Sequence, residues 1–408
     1  MALRVLTAAD VDAITSALSP EYLQGLMADV FALTSSPSST PPQLYTPHRI
    51  TIPTENHKVL FMPARIADTG TSIKVVSVPT SAGDTGGIPG STIVLDKQTG
   101  AVKAIVNSRS LTALRNAAGS LLSTTLVGPK EPTHIVTFGA GQQILYHLDI
   151  HIKAYPSIRS CTIVNRSLNA RLQRVVDTLT KKHSSVKINA LANGESTTEV
   201  KDAMADASII ITATPSKTPL FPSAWVKTGT HVILIGSYTP EMKEVDRELT
   251  MRAVPSASQP ESASVHRTIS PILLVDSIAA CAKEAGELLD AKLNENQLTE
   301  IGALVLKARS LVSKVQTNIV LTIIFIPSLK TSNDLISSPE LEVAGLETKR
   351  MRALLWPEKE AKISPSFDGP VTLFKSVGVG LQDVAIACAV VDKAGDIGVI
   401  VNDYDTLH

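Results

Sequence analysis

With 408 residues, 44% of them hydrophobic and 19% charged, the chain can bury a large core in two or three domains. Lysine plus arginine and aspartate plus glutamate each total 38, and this zero net charge argues against nucleic acid or an anionic membrane as a partner. The three cysteines lack metal-ligand spacing, and no apolar stretch reaches the roughly 20 residues of a membrane span. We therefore expect a cytoplasmic protein with reduced thiols, no metal site and no membrane segment.

The N-terminal part predicts two helices. Thr7 stands three residues before Asp10, which is the spacing of a helix N-cap, and apolar residues then recur at helical spacing through Leu18. A second helix is predicted over Tyr22 to Leu33. The serine- and proline-rich stretch from Ser35 to Pro42 predicts a loop after it.

Short runs of β-type residues follow this loop and predict an antiparallel sheet. The turn Thr99-Gly100 leads to one more strand, after which a helix is predicted over Ser110 to Leu126. The predicted strands are Arg49 to Ile52, Val59 to Met62, Ser72 to Val78, Ser91 to Leu95 and Val102 to Val106.

From about Thr133 the pattern changes to buried-type strands that alternate with amphipathic helices, which is typical of βαβ units in a parallel sheet. We thus predict an α/β protein: a Rossmann, doubly wound parallel-sheet domain plus an α+β substrate-binding and dimerisation domain built from both termini. The strands predicted in the Rossmann domain are His134 to Phe138, Cys161 to Val164, Ser208 to Thr212, His231 to Ile235 and Ile272 to Val275.

The predicted domain boundaries make the first domain discontinuous. A strand over Val371 to Phe374 and an apolar helix over Val379 to Val390 are expected to return the chain to it. The first domain then comprises residues 1–126 and 367–408, and the Rossmann domain comprises residues 127–311. Residues 312–366 show no clear period and are treated as an insertion of unknown structure.

The first candidate site is the turn that follows the strand at His134 to Phe138. Gly139 and Gly141 permit a tight turn close to a pyrophosphate, and the helix that starts at Gln142 and Gln143 presents free N–H groups to it. The third glycine of the dinucleotide fingerprint is absent, because Ile144 stands in its place. Strand, turn and helix still occur in the required order, and the sequence predicts a nicotinamide dinucleotide site.

The next strand ends in Asn165, Arg166 and Ser167 and not in an acidic residue that would bind a ribose hydroxyl. A guanidinium pairs with a 2′-phosphate, so NADP is the predicted cofactor, with NAD as the alternative. Further strand ends place Thr212, Thr214 and Gly236 as cofactor-binding candidates, although ordinary turn chemistry explains these residues as well.

Four motifs occur in one order along the chain, namely Ile73-Lys74-Val75-Val76, Leu111-Thr112-Ala113-Leu114-Arg115-Asn116-Ala117-Ala118, Phe138-Gly139-Ala140-Gly141-Gln142-Gln143 and Leu373-Phe374-Lys375-Ser376-Val377-Gly378. In these motifs the sequence resembles the ornithine cyclodeaminase, mu-crystallin and ketimine reductase superfamily. The resemblance extends from near the N-terminus to about Leu304 and resumes near Val371.

The resemblance implies that the substrate carboxylate is bound by Arg49, Lys74 and Arg115, with Lys74 and Arg115 as the catalytic residues. Guanidinium groups bind carboxylates through paired hydrogen bonds, and a lysine can supply a proton to an imine nitrogen. Asp383 matches a carboxylate at the start of the terminal helix of the family, where a helix-end charge is an equally good explanation. The resemblance also implies a homodimer formed through the first domain.

One departure from the family pattern bears on the reaction. Cyclodeaminases carry an aspartate after the strand that corresponds to Ile235-Gly236, whereas Tyr238 stands at that place here. A phenol is neutral at pH 7 and does not act as that base. The leading hypothesis is therefore NAD(P)H-dependent reduction of a small cyclic ketimine carboxylate. Cyclodeaminase-like or amino-acid dehydrogenase activity, and a non-catalytic NADP-dependent binding protein of the mu-crystallin type, remain alternatives.

Overall fold

The computed structural model describes residues 2–36, 43–80, 87–194, 196–255, 270–325, 352, 355 and 366–405. The chain divides into two compact units. Unit 1 comprises Met1–Ser19, Ser36–Ala117 and Gly378–His408, and unit 2 comprises Pro20–Ser35 and Ala118–Val377.

The strands are numbered in chain order. They are β1 (Leu3–Leu6), β2 (Leu44–Tyr45), β3 (Ile50–Pro53), β4 (His57–Ile66), β5 (Gly70–Pro79), β6 (Gly90–Leu95), β7 (Val102–Asn107), β8 (His134–Phe138), β9 (Ser160–Asn165), β10 (Lys187–Ala192), β11 (Ile209–Thr212), β12 (His231–Leu234), β13 (Ile272–Val275), β14 (Thr299–Glu300), β15 (Thr372–Lys375) and β16 (Val399–Val401).

The α-helices are numbered in the same way. They are α1 (Ala8–Ser16), α2 (Pro20–Thr34), α3 (Arg109–Val127), α4 (Gln142–Ala154), α5 (Ala170–Lys182), α6 (Thr197–Asp206), α7 (Arg247–Arg252), α8 (Ile278–Glu284), α9 (Gly286–Asp290), α10 (Ile301–Phe325) and α11 (Gly380–Asp392).

Unit 1 is built on a mixed sheet with the strand order β16-β1-β7-β6-β5-β4-β2, in which β3 also pairs with β4. The pairs from β3 to β7 are antiparallel, which confirms the predicted antiparallel sheet, and β1 joins β7 in parallel. Burial alternates along β6 and β7, as expected for strands with one face against a core. The apolar helix α11 packs on β4, β5 and β6 and covers that face.

Unit 2 contains an all-parallel sheet with the strand order β10-β9-β8-β11-β12-β15-β13-β14. Strands β11, β12, β13 and β15 are buried along their whole length, because parallel strands are covered on both faces. After β8 the chain moves outward through β9 and β10, and it then returns to place β11 on the other side of β8. Ligands of doubly wound sheets bind at this reversal, outside the carboxyl ends of the strands.

Most sequence-predicted elements form within a few residues of their expected bounds, and the α/β class is confirmed. The capping box of Thr7 and Asp10 is present, because the Asp10 amide donates to Thr7 Oγ1 at 3.3 Å and the Thr7 amide donates to Asp10 Oδ2 at 2.9 Å. Strands β1, β2, β10, β14 and β16 were not predicted. Among the described residues, no helix has both the length and the apolar character that crossing a membrane requires.

Strand β15 corrects one expectation. β15 forms where it was predicted, but it lies in the parallel sheet of unit 2 between β12 and β13, not in the first domain. Only after Val377 does the chain enter unit 1, where α11 forms. Of the segment treated as an insertion, the residues up to Phe325 continue α10, while most of the remainder lies outside the described residues.

Unit 2 encloses three histidines whose rings are fully buried. Ser120, Ser123 and Thr124 of α3 bond to the Nε2 atoms of His147, His231 and His151 at 2.9, 3.0 and 3.0 Å. The Nδ1 atoms bond to Gln143 O, Thr372 Oγ1 and His147 O. Burial lowers the pKa of His147 and of His231 to about 3 and the pKa of His151 to about 4, so the rings are neutral in the folded state.

These histidines predict acid sensitivity. An unfolded histidine has a pKa near 6.5, so below this pH the unfolded chain binds protons that the folded chain does not. Stability is therefore retained above pH 6.5 and falls as the pH drops towards 4, by about 1.4 kcal/mol per pH unit for each ring. Thermal unfolding at pH 7 and pH 5.5 measures the effect.

His151→Gln should reduce this pH dependence by about one third, whatever it does to stability at pH 7. His48→Gln, at an exposed position of unit 1, is the matched control. A wild-type chain whose midpoint is the same at both pH values would contradict the prediction.

Candidate functional site

A buried cluster of charges lies on the covered face of the unit 1 sheet. Asp383 of α11 binds Lys74 of β5, with 2.6 Å between Lys74 Nζ and Asp383 Oδ2. Its other oxygen accepts a hydrogen bond from Arg115 Nε of α3 at 3.1 Å. All three residues are at most 3% exposed. One carboxylate is thus shared by two cations in a place from which water is almost excluded.

Local structure explains how these side chains meet. Alternation along β5 places Ser72 and Lys74 on the covered face, under α11. Arg115 Nη1 also donates to Gln382 Oε1 at 2.9 Å and to Asn116 Oδ1. Gly378 has a φ of +82°, and a Cβ at this position would lie 2.6 Å from Arg115 Nη1. A glycine is required there both by the backbone angle and by the guanidinium.

Burial dominates the electrostatics of the cluster. Burial lowers the pKa of Lys74 to about 8, because desolvation and the charges of Arg115 and Arg49 outweigh the attraction of Asp383. Burial alone would raise the pKa of Asp383, but the charges of Arg115 and Lys74 hold it below its ordinary value. The partly buried Arg49, just before β3, is close enough to act on Lys74 electrostatically. The cluster therefore carries more positive than negative charge, which suits an anionic ligand.

Arg115 has an atom available for such a ligand. Its Nε and Nη1 atoms are engaged by Asp383, Gln382 and Asn116, whereas Nη2 has no hydrogen-bond partner within the described part of the chain. The structure thus brings Lys74 and Arg115 together as expected, with Asp383 between them. Asp383 also lies in the first turn of α11, so it is at the same time the helix-end charge that the sequence offered as an equal explanation.

The glycine turn lies in unit 2 between β8 and α4. Gly139 has a φ of +116°, in the region that favours glycine, and a Cβ there would lie 2.9 Å from Ala213 O. Gly141 is the N-cap of α4 and provides no side-chain cap, so the first N–H groups of the helix, at Gln142 and Gln143, are left for an anion.

Gln143 gives a test of whether these residues fit a dinucleotide. Its Oε1 atom is enclosed, yet it has no hydrogen-bond partner among the described residues. A buried acceptor without a donor costs free energy unless a ligand or water satisfies it. Together with the uncapped helix and the positive φ of Gly139, this unpaired oxygen fits a site built for a polar ligand with phosphate groups.

Two arginines flank the turn. Arg166, directly after β9, is exposed, and the side-chain amide of Asn165, the last residue of β9, donates to Ser167 O in the loop at 2.9 Å. Arg171, in the first turn of α5, was not predicted. Its Nη2 atom lies 3.0 Å from where a Cβ of Gly141 would stand. A cation is unfavourable at a helix N-terminus, and this exception is the signal in the sequence that could have identified Arg171.

The remaining cofactor candidates have a different arrangement from the one expected. Hydrogen-bond donors of Thr212, Thr214 and Gly236 all point to the carboxylate of Glu244, a residue that the sequence did not indicate. Glu244 is fully buried. The three residues do lie together at neighbouring strand ends, but the donors seen in these bonds are already used inside the protein.

The loop after β12 carries the half-buried Tyr238. Asp246, the nearby acidic residue, caps α7 by accepting from the Leu249 amide at 2.8 Å, and it also accepts from the Ser223 amide at 2.9 Å. Its carboxylate thus has a structural task. No group of three or more histidine, cysteine or acidic residues among the described positions could hold a metal ion.

Comparison with known proteins places these features in a family. The sequence profile described as the ornithine cyclodeaminase/mu-crystallin family matches residues 3–305. The chain belongs to this family. Among its relatives are Delta(1)-pyrroline-2-carboxylate reductase of Paracoccus denitrificans, 28% identical over 205 residues, and ketimine reductase mu-crystallin of Mus musculus, 27% identical over 201 residues. The matches cover 50% and 49% of this chain, but only 61% and 54% of those proteins.

A solved member of similar fold is Thermococcus litoralis Delta(1)-pyrroline-2-carboxylate reductase in complex with NADH and L-proline. It superimposes with a TM-score of 0.67 at 20% identity, over 98% of this chain and 99% of that one. At 20% identity this likeness supports the fold described above for the present chain.

Asp383→Ala is expected to destabilise unit 1 of this family member by about 3–5 kcal/mol, because two buried cations lose their shared carboxylate. Denaturant unfolding measures the change. Asp392→Ala is the matched control, since Asp392 lies on the same helix with a 68% exposed side chain in an ion pair with Lys103. An effect as small as that of the control would show that the buried cluster contributes no stability.

Proposed function

We propose that the chain is an NAD(P)H-dependent reductase that converts a small cyclic ketimine carboxylate, such as a pyrroline or piperideine 2-carboxylate, to the cyclic amino acid. The observation that carries the proposal is the buried Lys74–Asp383–Arg115 cluster. It combines an excess of positive charge with a lysine whose pKa of about 8 allows proton exchange near neutral pH.

The substrate carboxylate is bound by Arg115 and Arg49. Arg115 is held in one orientation by Asp383, Gln382 and Asn116, and the remaining Nη2 atom faces no competing acceptor among the described residues. A guanidinium that is fixed before the ligand arrives loses little side-chain entropy on binding. A cyclic substrate anchored at its carboxylate presents its C=N bond in a defined orientation.

Lys74 holds the proton for the imine nitrogen. Its ammonium group contacts Asp383 at 2.6 Å and has further N–H bonds to direct at a ligand. Reduction of an imine is faster on the protonated form, so a lysine with a pKa of about 8 is well placed as the acid. Asp383 keeps this ammonium in position and is itself held ionised.

Unit 2 holds the cofactor in this proposal. Gly139 and Gly141 let the pyrophosphate approach the backbone, and the Gln142 and Gln143 amides donate to it. The nicotinamide, when bound, supplies the hydride. The family relatives named as reductases and the NADH-bound neighbour support a dinucleotide cofactor.

Two other activities are distinguished by experiment. Cyclodeamination is disfavoured because the phenol of Tyr238 stands where a carboxylate is required, and it would appear as ammonia release from ornithine without added NADPH. A binding protein of the mu-crystallin type would bind NADPH and an imino acid without turnover. The proposed reductase oxidises NADPH only when a cyclic ketimine carboxylate is present.

Arg115→Ala should lower kcat/KM for the ketimine at least about a hundredfold, or about 2.7 kcal/mol of transition-state stabilisation. The measurement is the loss of NADPH absorbance with each ketimine. Arg109→Ala removes an exposed arginine from the same helix and is the matched control. An Arg115→Ala enzyme as fast as the control would disprove the carboxylate anchor.

We also propose that NADP is preferred over NAD, through Arg166 and Arg171. Arg166 follows the strand whose end faces the adenosine ribose in such folds, and Arg171 reaches the glycine turn from α5. Both guanidinium groups belong to exposed residues. A 2′-phosphate offers both of them an anion.

Arg171→Ala is expected to raise the Kd for NADPH about tenfold and to change the Kd for NADH less than twofold. Fluorescence titration with both cofactors measures the ratio. Arg174→Ala, an exposed position three residues along α5, is the matched control. Equal losses for NADPH and NADH would assign Arg171 to the pyrophosphate and not to the 2′-phosphate.

A homodimer formed through unit 1 is also proposed. Edge strand β16 exposes Val399, Ile400 and Val401, and β3 exposes Ile50 and Ile52, so apolar surface lies at strands that have an open edge. Sedimentation at micromolar concentration should give twice the chain mass, and a monomer would refute it.

The three cysteines are free, buried thiols, which supports the cytoplasmic location expected from the sequence.

A further inference from the structure

Glu244 lies at the carboxyl ends of two neighbouring strands of the unit 2 sheet. Its Oε1 atom accepts from the Thr214 amide at 2.7 Å and from Thr214 Oγ1 at 2.9 Å. Its Oε2 atom accepts from the Gly236 amide at 2.7 Å and from Thr212 Oγ1 at 2.8 Å. One carboxylate therefore joins the loop after β11 to the loop after β12.

The four donors fill the acceptor capacity of a carboxylate, which has about four lone-pair sites. Burial raises the pKa of Glu244, with the nearby Glu287 acting in the same direction, while Lys375 and the bonds from Thr214 and Thr212 favour the charged form. If either carboxylate oxygen of Glu244 carried a proton, that proton would point at a hydrogen-bond donor and would have no acceptor there. The observed arrangement thus belongs to the ionised side chain.

The loops that Glu244 joins are packed backbone against backbone. A Cβ on Gly236 would overlap the Thr214 backbone, and a Cβ on Gly139 would lie 2.9 Å from Ala213 O. The glycine turn after β8, the loop after β11 and the loop after β12 are consequently in contact in that order. Movement of the middle loop would change the surface next to the glycine turn.

A second buried network holds the next strand end. Lys375, the last residue of β15, donates to Ser237 O at 2.6 Å and to Ser237 Oγ, and Ser237 Oγ donates to Glu287 Oε1 at 2.7 Å. Glu287 Oε1 also accepts from the Glu244 amide at 2.9 Å. All of these side chains are at most 1% exposed. The ends of β11, β12 and β15 are therefore fixed by charged side chains that do not reach solvent.

The position of these loops indicates which part of a dinucleotide they face. In doubly wound sheets the adenosine ribose lies at the end of the strand that follows the glycine turn in sequence, here β9. Strands β11 and β12 lie on the opposite side of β8, and the nicotinamide half of the dinucleotide extends over them. Because the donors of Thr212, Thr214 and Gly236 in these bonds are used by Glu244, their contribution is to shape this surface.

We propose that Glu244 is a positioning residue that holds the loops after β11 and β12 as a preformed floor for the nicotinamide half of the cofactor. This inference rests on the proposed function, since it requires that unit 2 binds NAD(P)H. It assigns to the carboxylate a role in cofactor affinity and orientation, and none in proton transfer.

Glu244→Gln gives an asymmetric test. The side-chain oxygen of the new glutamine can replace Oε1 and keep the bonds from Thr214. Its NH₂ group then faces the Gly236 amide, and two donors cannot form a hydrogen bond. Hydrogen exchange should show lost protection at the Gly236 amide with the Thr214 amide still protected, and Glu244→Ala should expose both. Glu248→Gln, exposed on α7, is the matched control.

Binding is measured with two probes, NADPH and 2′,5′-ADP, which contains only the adenosine half. We expect Glu244→Gln to weaken NADPH binding at least tenfold and 2′,5′-ADP binding less than twofold, with Glu248→Gln like the wild type. Unchanged NADPH binding, or equal weakening of both probes, would overturn the inference. A wild-type chain that binds neither probe would overturn the proposed cofactor and this inference with it, whereas binding without imine reduction would overturn only the proposed reaction.

Discussion

The proposed chemistry of unit 1 depends on the ion pairs that the Asp383 carboxylate makes with Lys74 and Arg115. The two cations Lys74 and Arg115 are at most 3% exposed. Burying a charged side chain costs free energy unless an opposite charge lies nearby. Asp383 meets that need for both of them from the first turn of α11. The cluster nevertheless retains positive charge, and a carboxylate ligand is the group that would balance it.

In unit 2 a buried carboxylate binds backbone N–H groups at the ends of the parallel strands. The carboxyl ends of parallel strands leave backbone N–H groups without partners, and a ligand site there needs some of them free and the others fixed. The amides at the start of α4 have no side-chain cap, while those of Thr214 and Gly236 are bonded to Glu244. The same sheet edge is thus divided between donors that remain available and donors that maintain the shape of the loops.

Local sequence patterns predicted the positions of several strands and one helix cap. Periodicity located β8 and β13 to the residue, and the spacing of Thr7 and Asp10 predicted an N-cap, which the structure contains as part of a capping box. Strand β10 escaped detection, because it lies at the sheet edge with mostly half-buried residues and no apolar run. The place of β15 between β12 and β13 depends on pairing between distant segments, which local pattern does not encode.

The same limit applies to the site. Motif matching brought Lys74, Arg115 and the glycine turn to attention, but the side chains that fix them are far away in sequence or look ordinary there. Arg115 and Asp383 are 268 residues apart, and Glu244 bonds to Thr212 across 32 residues. Glu244 stands in a charged stretch, Lys243 to Arg247, that resembles a solvated loop until its burial is known.

The pKa of Lys74 also bears on the pH dependence of the forward and reverse reactions at this site. At pH 7 a group with a pKa of about 8 is mostly protonated, and one pH unit above that value it is mostly neutral. An imine nitrogen needs a proton donor, whereas oxidation of an amine needs a proton acceptor at the same place. In the proposed reaction this one side chain serves both, so the pH optimum of imine reduction lies below that of amine oxidation at the same site.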